Sequence, residues 1–522
     1  MSLVSSTFYV PCYFIDIQNR SSYTPFLRSN GLSQKKYQEV STMAKAKVIL
    51  KKLNALHQQT SLKNYLPLNE KMVSEIRRAV GEIFDEFGGA ALLKSSGAVY
   101  IKPNAIDAKA YCHTRIEVLK AVIEYWQQAG AKKVYVLENS TQANYTRVVF
   151  AVNGYAKLCR QTGAVPIYLD EEKTRVFNFT GRSSSGKDNP KGYDLTSCAL
   201  PLTVAEKLID GKNENLYIDL PKLKTHSMAG VTLGVKNQWG FPIHTSRGVD
   251  HNYNLFSKLA DVLSLVRPDV TLIEGVDGTI YGHYPVTSLA DTCVKPFRVM
   301  IGSKNVVAAD IVGSRIFGLG LEDVPHLQEA VARGLGEGVN GLEDIECTGD
   351  ITSLDGIDLI GDMPPEGKYP TDLYESYPGD VRMIVGKTMA CREGCMNNPK
   401  TLLQVLHHDY QGKGGWTLIM GKGFDPVEID ALQGRALIVG HCAIEEIGER
   451  LIGRLGRAKV YLSGECNDLC STVNAMCHLM KVNPLVLINQ NLAGALIAFA
   501  LAILKGSTSR VPNPFCHLFK VV

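Results

Sequence analysis

From Ala98 to Leu169 short apolar runs alternate with amphipathic stretches, and this alternation limits the possible folds more than any other feature. Ala98 to Ile101, Lys133 to Leu137 and Val165 to Leu169 read as strands; Thr114 to Ala129, with Thr114 as its cap, and Val148 to Gln161 read as the helices between them. Repeated β-α-β order predicts a mostly parallel sheet with helices on both faces. A further helix, Glu70 to Phe87, precedes it with Val73, Ile76, Val80, Ile83 and Phe84 at helical spacing. The pattern resumes with helix Leu255 to Val266, strands Val270 to Glu274 and Phe297 to Ile301, and helices Val307 to Phe317 and Pro325 to Ala332.

Thr348 to Asp380, rich in Gly, Pro and Asp, reads as a linker with little structure. Beyond it, strands are expected at Met383 to Val385, Thr417 to Met420, Ala436 to Val439, Lys459 to Leu462 and Leu485 to Ile488. Helices near Leu402 to His408, Ile444 to Leu455, Ser471 to Met480 and Leu492 to Leu504 separate them. The fold class is therefore α/β, with two domains of mostly parallel sheets flanked by helices. A poorly packed extension over 1–61 precedes a first domain over 62–363 and a cysteine-containing domain over 364–522, as suits a chain of 522 residues.

Fifty-six basic residues against 52 acidic ones leave +4, too little, without a local cluster, to point to nucleic acid or an acidic membrane. Thirteen cysteines, an odd number in a chain too large to need staples, indicate reduced thiols or metal ligands in a reducing compartment, and a cytoplasmic location. The first forty-odd residues lack the pattern of a secretory signal, although their Ser, Arg and Lys content leaves a transit peptide as the alternative. Leu492 to Leu504 is too short for a membrane span and reads as a buried helix.

The chemistry concentrates between Leu216 and Asn252. An apolar run ends at Pro221, and Lys222, Lys224, His226, Lys236, His244, Arg247, Asp250 and His251 crowd the loop expected after it. In an open α/β sheet, loops at the carboxyl ends of strands form the crevice where ligands sit. A desolvated lysine can act as a base, form an imine or hold an anion, and histidines shuttle protons. Lys102 and Asn104, after the first strand and its Pro103, project into the same crevice, as do His113 and the strand-ending Glu274. The plainer alternative makes Lys222 and Lys224 solvated rim charges, has His244 and His251 bond the backbone, and gives Asp310 a helix cap. No dinucleotide fingerprint, Walker loop or serine elbow is present.

Several of these segments, IKPN at Ile101 to Asn104, DLPKLKTH at Asp219 to His226, VTLGVKNQWG at Val231 to Gly240, RPDVTLIEGV at Arg267 to Val276 and VVAADIVGSRIFG at Val306 to Gly318, resemble the family called domain of unknown function 362. The resemblance covers roughly Ala98 to Gly336 and implies an association with iron-sulfur segments. A second resemblance, to nickel-pincer lactate racemases, rests on His226 lying ten residues before Lys236, with His113 as an earlier histidine. It implies a cofactor-bearing Lys236 and a proton-transferring histidine pair.

Cys391 and Cys395, Cys442, and Cys466 and Cys470 each follow a proposed strand, so three cysteine loops should meet at one sheet edge. Helix N-termini there would lower the thiol pKa and favour metal. The Cys-x3-Cys spacing is neither a ferredoxin nor a zinc-knuckle pattern, so an iron-sulfur cluster, a zinc ion and inert thiols all remain open. The expected function is redox chemistry, of an oxidoreductase type, on a small anionic substrate. His226, Lys236, His113 and Glu274 are the catalytic candidates, and Lys102, Asn104, Lys222, Lys224, Arg247 and His251 the binding ones. An electron-transfer partner goes with this reading. The alternatives are a racemase-like isomerase, with a nickel-containing cofactor, and a non-catalytic metal carrier.

Overall fold

The computed structural model describes residues 44–54, 61–179, 196–244, 255–354, 368–464, 468–488 and 492–521. Its strands are β1 (Ala46–Lys52), β2 (Ala98–Pro103), β3 (Lys133–Glu138), β4 (Val165–Tyr168), β5 (Thr174–Asn178), β6 (Ser197–Pro201), β7 (Leu216–Leu220), β8 (Lys222–His226), β9 (Gly230–Val231), β10 (Val270–Thr279), β11 (Val294–Lys295), β12 (Val299–Ser303), β13 (Ile345–Gly349), β14 (Val381–Val385), β15 (Trp416–Met420), β16 (Arg435–Val439) and β17 (Val460–Ser463). The large sheet runs β13-β1-β12-β10-β7-β2-β3-β4, with β8, β9 and β11 joined at its β10 side. It is parallel from β10 through β7, β2 and β3 to β4; β12 pairs antiparallel with both β10 and β1.

Side chains alternate across a strand, so each strand supplies both faces. Ile49, Leu272 and Met300 join the core under helices Glu70–Glu86 and Ile116–Gln128. Their neighbours Leu50, Ile273 and Ile301 join the core under Val306–Ile316 and Pro325–Ala332. The small sheet, β14-β15-β16-β17, is parallel throughout. Leu418 and Leu437 face one of its cores and Ile419 and Ile438 the other.

The two sheets meet through specific bonds. Asn397 Nδ2 donates to the Ser227 carbonyl at 3.1 Å, and Asp409 accepts from the Thr287 and Ser288 N–H groups at 3.0 and 2.8 Å and pairs with Lys109. Near the carboxyl end, Ser507 Oγ reaches Asp170 Oδ2 at 2.6 Å.

Several elements differ from expectation. Ala46–Lys52, assigned to a loose extension, is a strand between β12 and β13. The helix expected from Val148 to Gln161 is two, Thr146–Val152 and Tyr155–Thr162, broken where Gly154 takes φ +85°. Thr114 caps no helix: its hydroxyl accepts from Asn104 N–H and donates to the Leu220 carbonyl, tying β2 to β7. Pro484–Ile488 is a 3-10 turn and not a strand, because a short apolar run carries no period that separates the two. In the expected linker, Tyr369 is buried against Phe297 and Phe317.

Candidate functional site at the carboxyl edges of two sheets

The chain does not enter a loop at Pro221. It leaves its pairing with β2 and continues as β8, which pairs with β10 so that Lys222 lies opposite Glu274. Lys222 and Lys224 therefore share one face of one strand, and both are fully buried, not solvated rim charges. Lys222 Nζ lies 2.8 Å from Glu274 Oε2 and 2.6 Å from Asp277 Oδ1, and Arg115 also pairs with Asp277. Burial alone would raise the Asp277 carboxyl, but Arg115 and Lys222 outweigh it and hold it at about 2. Burial raises Glu274 against the pull of Lys222.

Lys224 has a different setting. Its Nζ donates to Asn104 Oδ1 at 2.5 Å and to the Cys112 carbonyl at 2.9 Å, both neutral acceptors. Burial accordingly pulls its ammonium down to about 7. Asn104 passes the chain on: its Nδ2 donates to Asn237 Oδ1, and Asn237 Nδ2 donates to Asp219 Oδ1 at 2.8 Å. Asp219 is buried and its carboxyl stands well above the usual range, chiefly by desolvation.

Above this floor lies a cavity of about 100 Å³. That is room for a small carboxylate or phosphate, since one water needs only about 10–15 Å³ of comparable space. The ends of β2 and β3 give it Lys102, Asn104 and Glu138; the end of β8 gives His226, and the turn beyond β9 gives Lys236 and Asn237. Asn398 and Leu469, at the first turns of helices Asn398–Tyr410 and Leu469–Met480, come from the small sheet. The carboxyl edges of both sheets thus share one cavity, where an open α/β sheet is expected to bind.

Each cavity group is fixed from behind. Lys102 Nζ is 2.6 Å from Glu138 Oε1, and Glu138 Oε2 accepts the Ala105 N–H. The turn bearing Lys236 is held by Asp310, whose oxygens accept from Gly234 and Val235 N–H at 2.7 and 2.8 Å. Asp310 sits within helix Val306–Ile316, so it caps this turn and not its own helix, whose cap is Asn305. Burial pushes the Asp310 carboxyl up to about 7 despite those bonds. His226 Nδ1 accepts the Met228 N–H at 3.1 Å, which leaves Nε2 as the protonated nitrogen of the neutral ring. His283 stacks on it, centroids 4.1 Å apart and planes within 4°.

Of the residues singled out from sequence, Lys102, Asn104, His226 and Lys236 line the cavity. Lys222, Lys224 and Glu274 are buried outside its lining. His113 lies outside it too, in an aromatic setting between Tyr65 and Tyr155, where burial drives its imidazole down to about 3. His244 bonds the Ser509 hydroxyl at 2.6 Å. Arg247, Asp250, His251 and Cys466 lie outside the described residues. Sequence reasoning missed Glu138, which ends β3, and His283, in the Tyr281 to Pro285 turn beyond β10; the end of a parallel strand was the available signal for both.

Cys391 and Cys395 follow β14, Cys442 follows β16 and Cys470 follows β17, all at the carboxyl edge of the small sheet. A methyl group on Gly440 would lie 2.5 Å from Cys395 Sγ, so the Cys395 and Cys442 loops are in contact. Among the described residues no three His, Cys, Asp or Glu side chains group closely enough to hold a metal ion. Cys470 begins a helix, yet burial, and Asp468 beside it, push its thiol up to about 12, against the expected lowering.

This geometry defines an α/β protein with a polar cavity between two sheet edges. Residues 99–315, which carry the large-sheet side of that cavity, match the family described as domain of unknown function (DUF362). A thylakoid-associated protein of Synechocystis sp. is 25% identical over 269 residues, spanning 48% of this chain and 73% of the relative.

Proposed function

We propose that the chain is an enzyme that holds a small anionic substrate in this cavity and moves a proton on it. The observation that carries the reading is the convergence of Lys102, Lys236, His226 and His283 on one small cavity with amide donors around it. An ammonium buried beside a substrate anion interacts far more strongly than in water. Lys236, on a turn pinned by Asp310, orients the anion. His226 offers a fixed Nε2–H donor. His283, stacked on it and only partly buried, exchanges protons with the medium. Two imidazolium charges in van der Waals contact oppose each other, so the pair carries one added proton at a time. A proton leaving the carbon next to the substrate's anionic group goes to His283, and the electron pair it leaves is delocalised onto oxygens held by the lysines. The stacked rings leave no room for a substrate between them, so both act from one side.

The test is thermal melting of the full chain with inorganic phosphate and with small 2-hydroxy and 2-oxo carboxylates. A rise in melting temperature that Lys236→Ala removes supports the reading; no rise with any of these anions overturns it. Proton NMR in deuterated water then follows loss of the α-proton, which His283→Asn should abolish.

A second reading is favoured by Leu469, which lines the cavity and adjoins Cys470. Cys391, Cys395, Cys442 and Cys470, with Cys466, would hold an iron-sulfur cluster or a zinc ion, and a cluster would supply single electrons to the cavity. Iron and sulfide analysis of protein purified without oxygen tests this: stoichiometric sulfide supports it, and a zinc-only or metal-free protein removes the redox version. A nickel-containing cofactor on Lys236 is tested in the same metal analysis. None of the described cysteines is disulfide-bonded, which supports a reducing compartment such as the cytoplasm. No helix among the described residues is long and apolar enough to cross a membrane.

A further inference from the structure

Helix Leu492–Leu504 is packed the wrong way round for a buried helix. Its small residues face the protein: Ala495, Ala498 and Ala502 are buried against Tyr145 and Val148, beside helix Thr146–Val152. Four of its aliphatic residues face outward, Leu496 at 52%, Ile497 at 64%, Ile503 at 55% and Leu504 at 80% exposure, while Phe499 packs edge-on against Tyr145. Not one side chain from Leu492 to Leu504 is polar. Beyond it, Phe515, Leu518 and Phe519 are also at least half exposed.

Charge is distributed to match. Residues 469–522 contain Lys481, Lys505, Arg510 and Lys520 and no acid, and the preceding residues balance at 52 of each sign. Arg510 pairs with Asp468 at 3.0 Å and Lys520 donates to the Val460 carbonyl, so Lys505, which follows the helix directly, is the cation beside it. An even balance over the whole chain concealed this segment. We propose that the outward face of Leu492–Leu504 docks on an anionic lipid bilayer, lying in its interface. Thirteen residues are too few to span the hydrocarbon, and one side of the helix is already packed on the protein, so the helix lies flat. A wholly apolar face offers a protein partner no hydrogen bond to set register, whereas acyl chains require none, and Lys505 at the helix end suits anionic headgroups.

The test is co-sedimentation of the full chain with vesicles of phosphatidylcholine, alone and mixed with phosphatidylglycerol, alongside solution mass by light scattering. The wild-type chain is expected to bind the mixed vesicles and to be released by salt. The triple change Leu496→Gln, Ile497→Gln and Ile503→Gln should weaken binding at least about tenfold, since it removes three aliphatic side chains from the contact. Because these side chains are exposed, its melting temperature should not fall. Lys505→Glu should weaken binding to the mixed vesicles. Absence of vesicle binding, or equal binding by the triple variant, overturns the proposal. So does a wild-type dimer that the triple change dissociates without any vesicle binding, which would make the face a contact between copies.

Discussion

The two sheet edges that share the cavity are built from opposite materials. At the large sheet, charge is buried with its partners in place: Lys222 with Glu274 and Asp277, Arg115 with Asp277, Lys102 with Glu138. At the small sheet the buried polar groups are neutral, the thiols of Cys395 and Cys470 together with the hydroxyls of Ser463 and Thr472 and the Asn397 amide. A charge cannot be buried without a partner, so the first edge must be organised before any ligand arrives. A thiol can be buried neutral and ionise only when a metal binds, so the second edge is conditional. Under the proposed function, substrate holding falls to the large sheet and any metal chemistry to the small one.

The sharpest way to break this contrast is to remove a charge from one edge and a thiol from the other. Lys222→Met leaves Glu274 and Asp277 sharing Arg115 alone, and should cost about 3–5 kcal/mol in urea denaturation, as breaking a buried pair does. Adding Glu274→Gln should restore part of the loss, because it removes the stranded charge. Cys470→Ala, measured without metal, strands nothing and should cost only about 1–2 kcal/mol. Equal losses at both edges would end the comparison.

A smaller effect is expected from filling a glycine at each edge. A methyl on Gly240 would lie 2.5 Å from Glu138 Oε1 and 2.7 Å from Lys102 Nζ, so Gly240→Ala must displace that pair. A methyl on Gly440 meets Cys395 Sγ at 2.5 Å, where the backbone also has φ +88°. Each should cost about 1–3 kcal/mol of stability. The consequences should then separate: Gly240→Ala abolishes the anion-induced rise in melting temperature, and Gly440→Ala leaves it in place. Loss of the rise in both variants would mean that the cysteine loops shape the anion site directly.

These environments show what a sequence can and cannot carry. Alternating strands and helices located the carboxyl edge, and that rule alone brought Lys102, Asn104, His226 and Lys236 to one place. It could not distinguish Lys222 from Lys224, two residues apart on one face. Their partners come from Glu274 and Asp277 in one case and from Asn104 and Cys112 in the other, all distant in the chain. Thr114 looked like a helix cap because its hydroxyl stands just ahead of an apolar period, but tertiary contacts claimed that hydroxyl. His283 was missed because strand β10 runs five residues further than its apolar run suggests, to Thr279, which moves the strand end that would have pointed to it.

The same pair of lysines gives the smallest effect per pH unit, and one whose sign is fixed. Lys222 has carboxylate partners, whereas Lys224 has neutral ones and a folded value of about 7, below its ordinary 10.5. Between those values the unfolded chain binds a proton that the folded chain does not, so stability rises with pH across that window, by at most about 1.4 kcal/mol per unit. Asp310 acts oppositely: its folded value of about 7 lies above its ordinary 3.8, so its contribution falls as pH rises from 3.8 to about 7. The two together place a stability minimum near neutrality. Urea midpoints on either side of it should show both limbs, with Lys224→Met flattening only the alkaline one and Asp310→Asn only the acid one. An alkaline limb that persists in Lys224→Met would mean that Lys224 stays charged in the folded state, and the contrast with Lys222 would be lost.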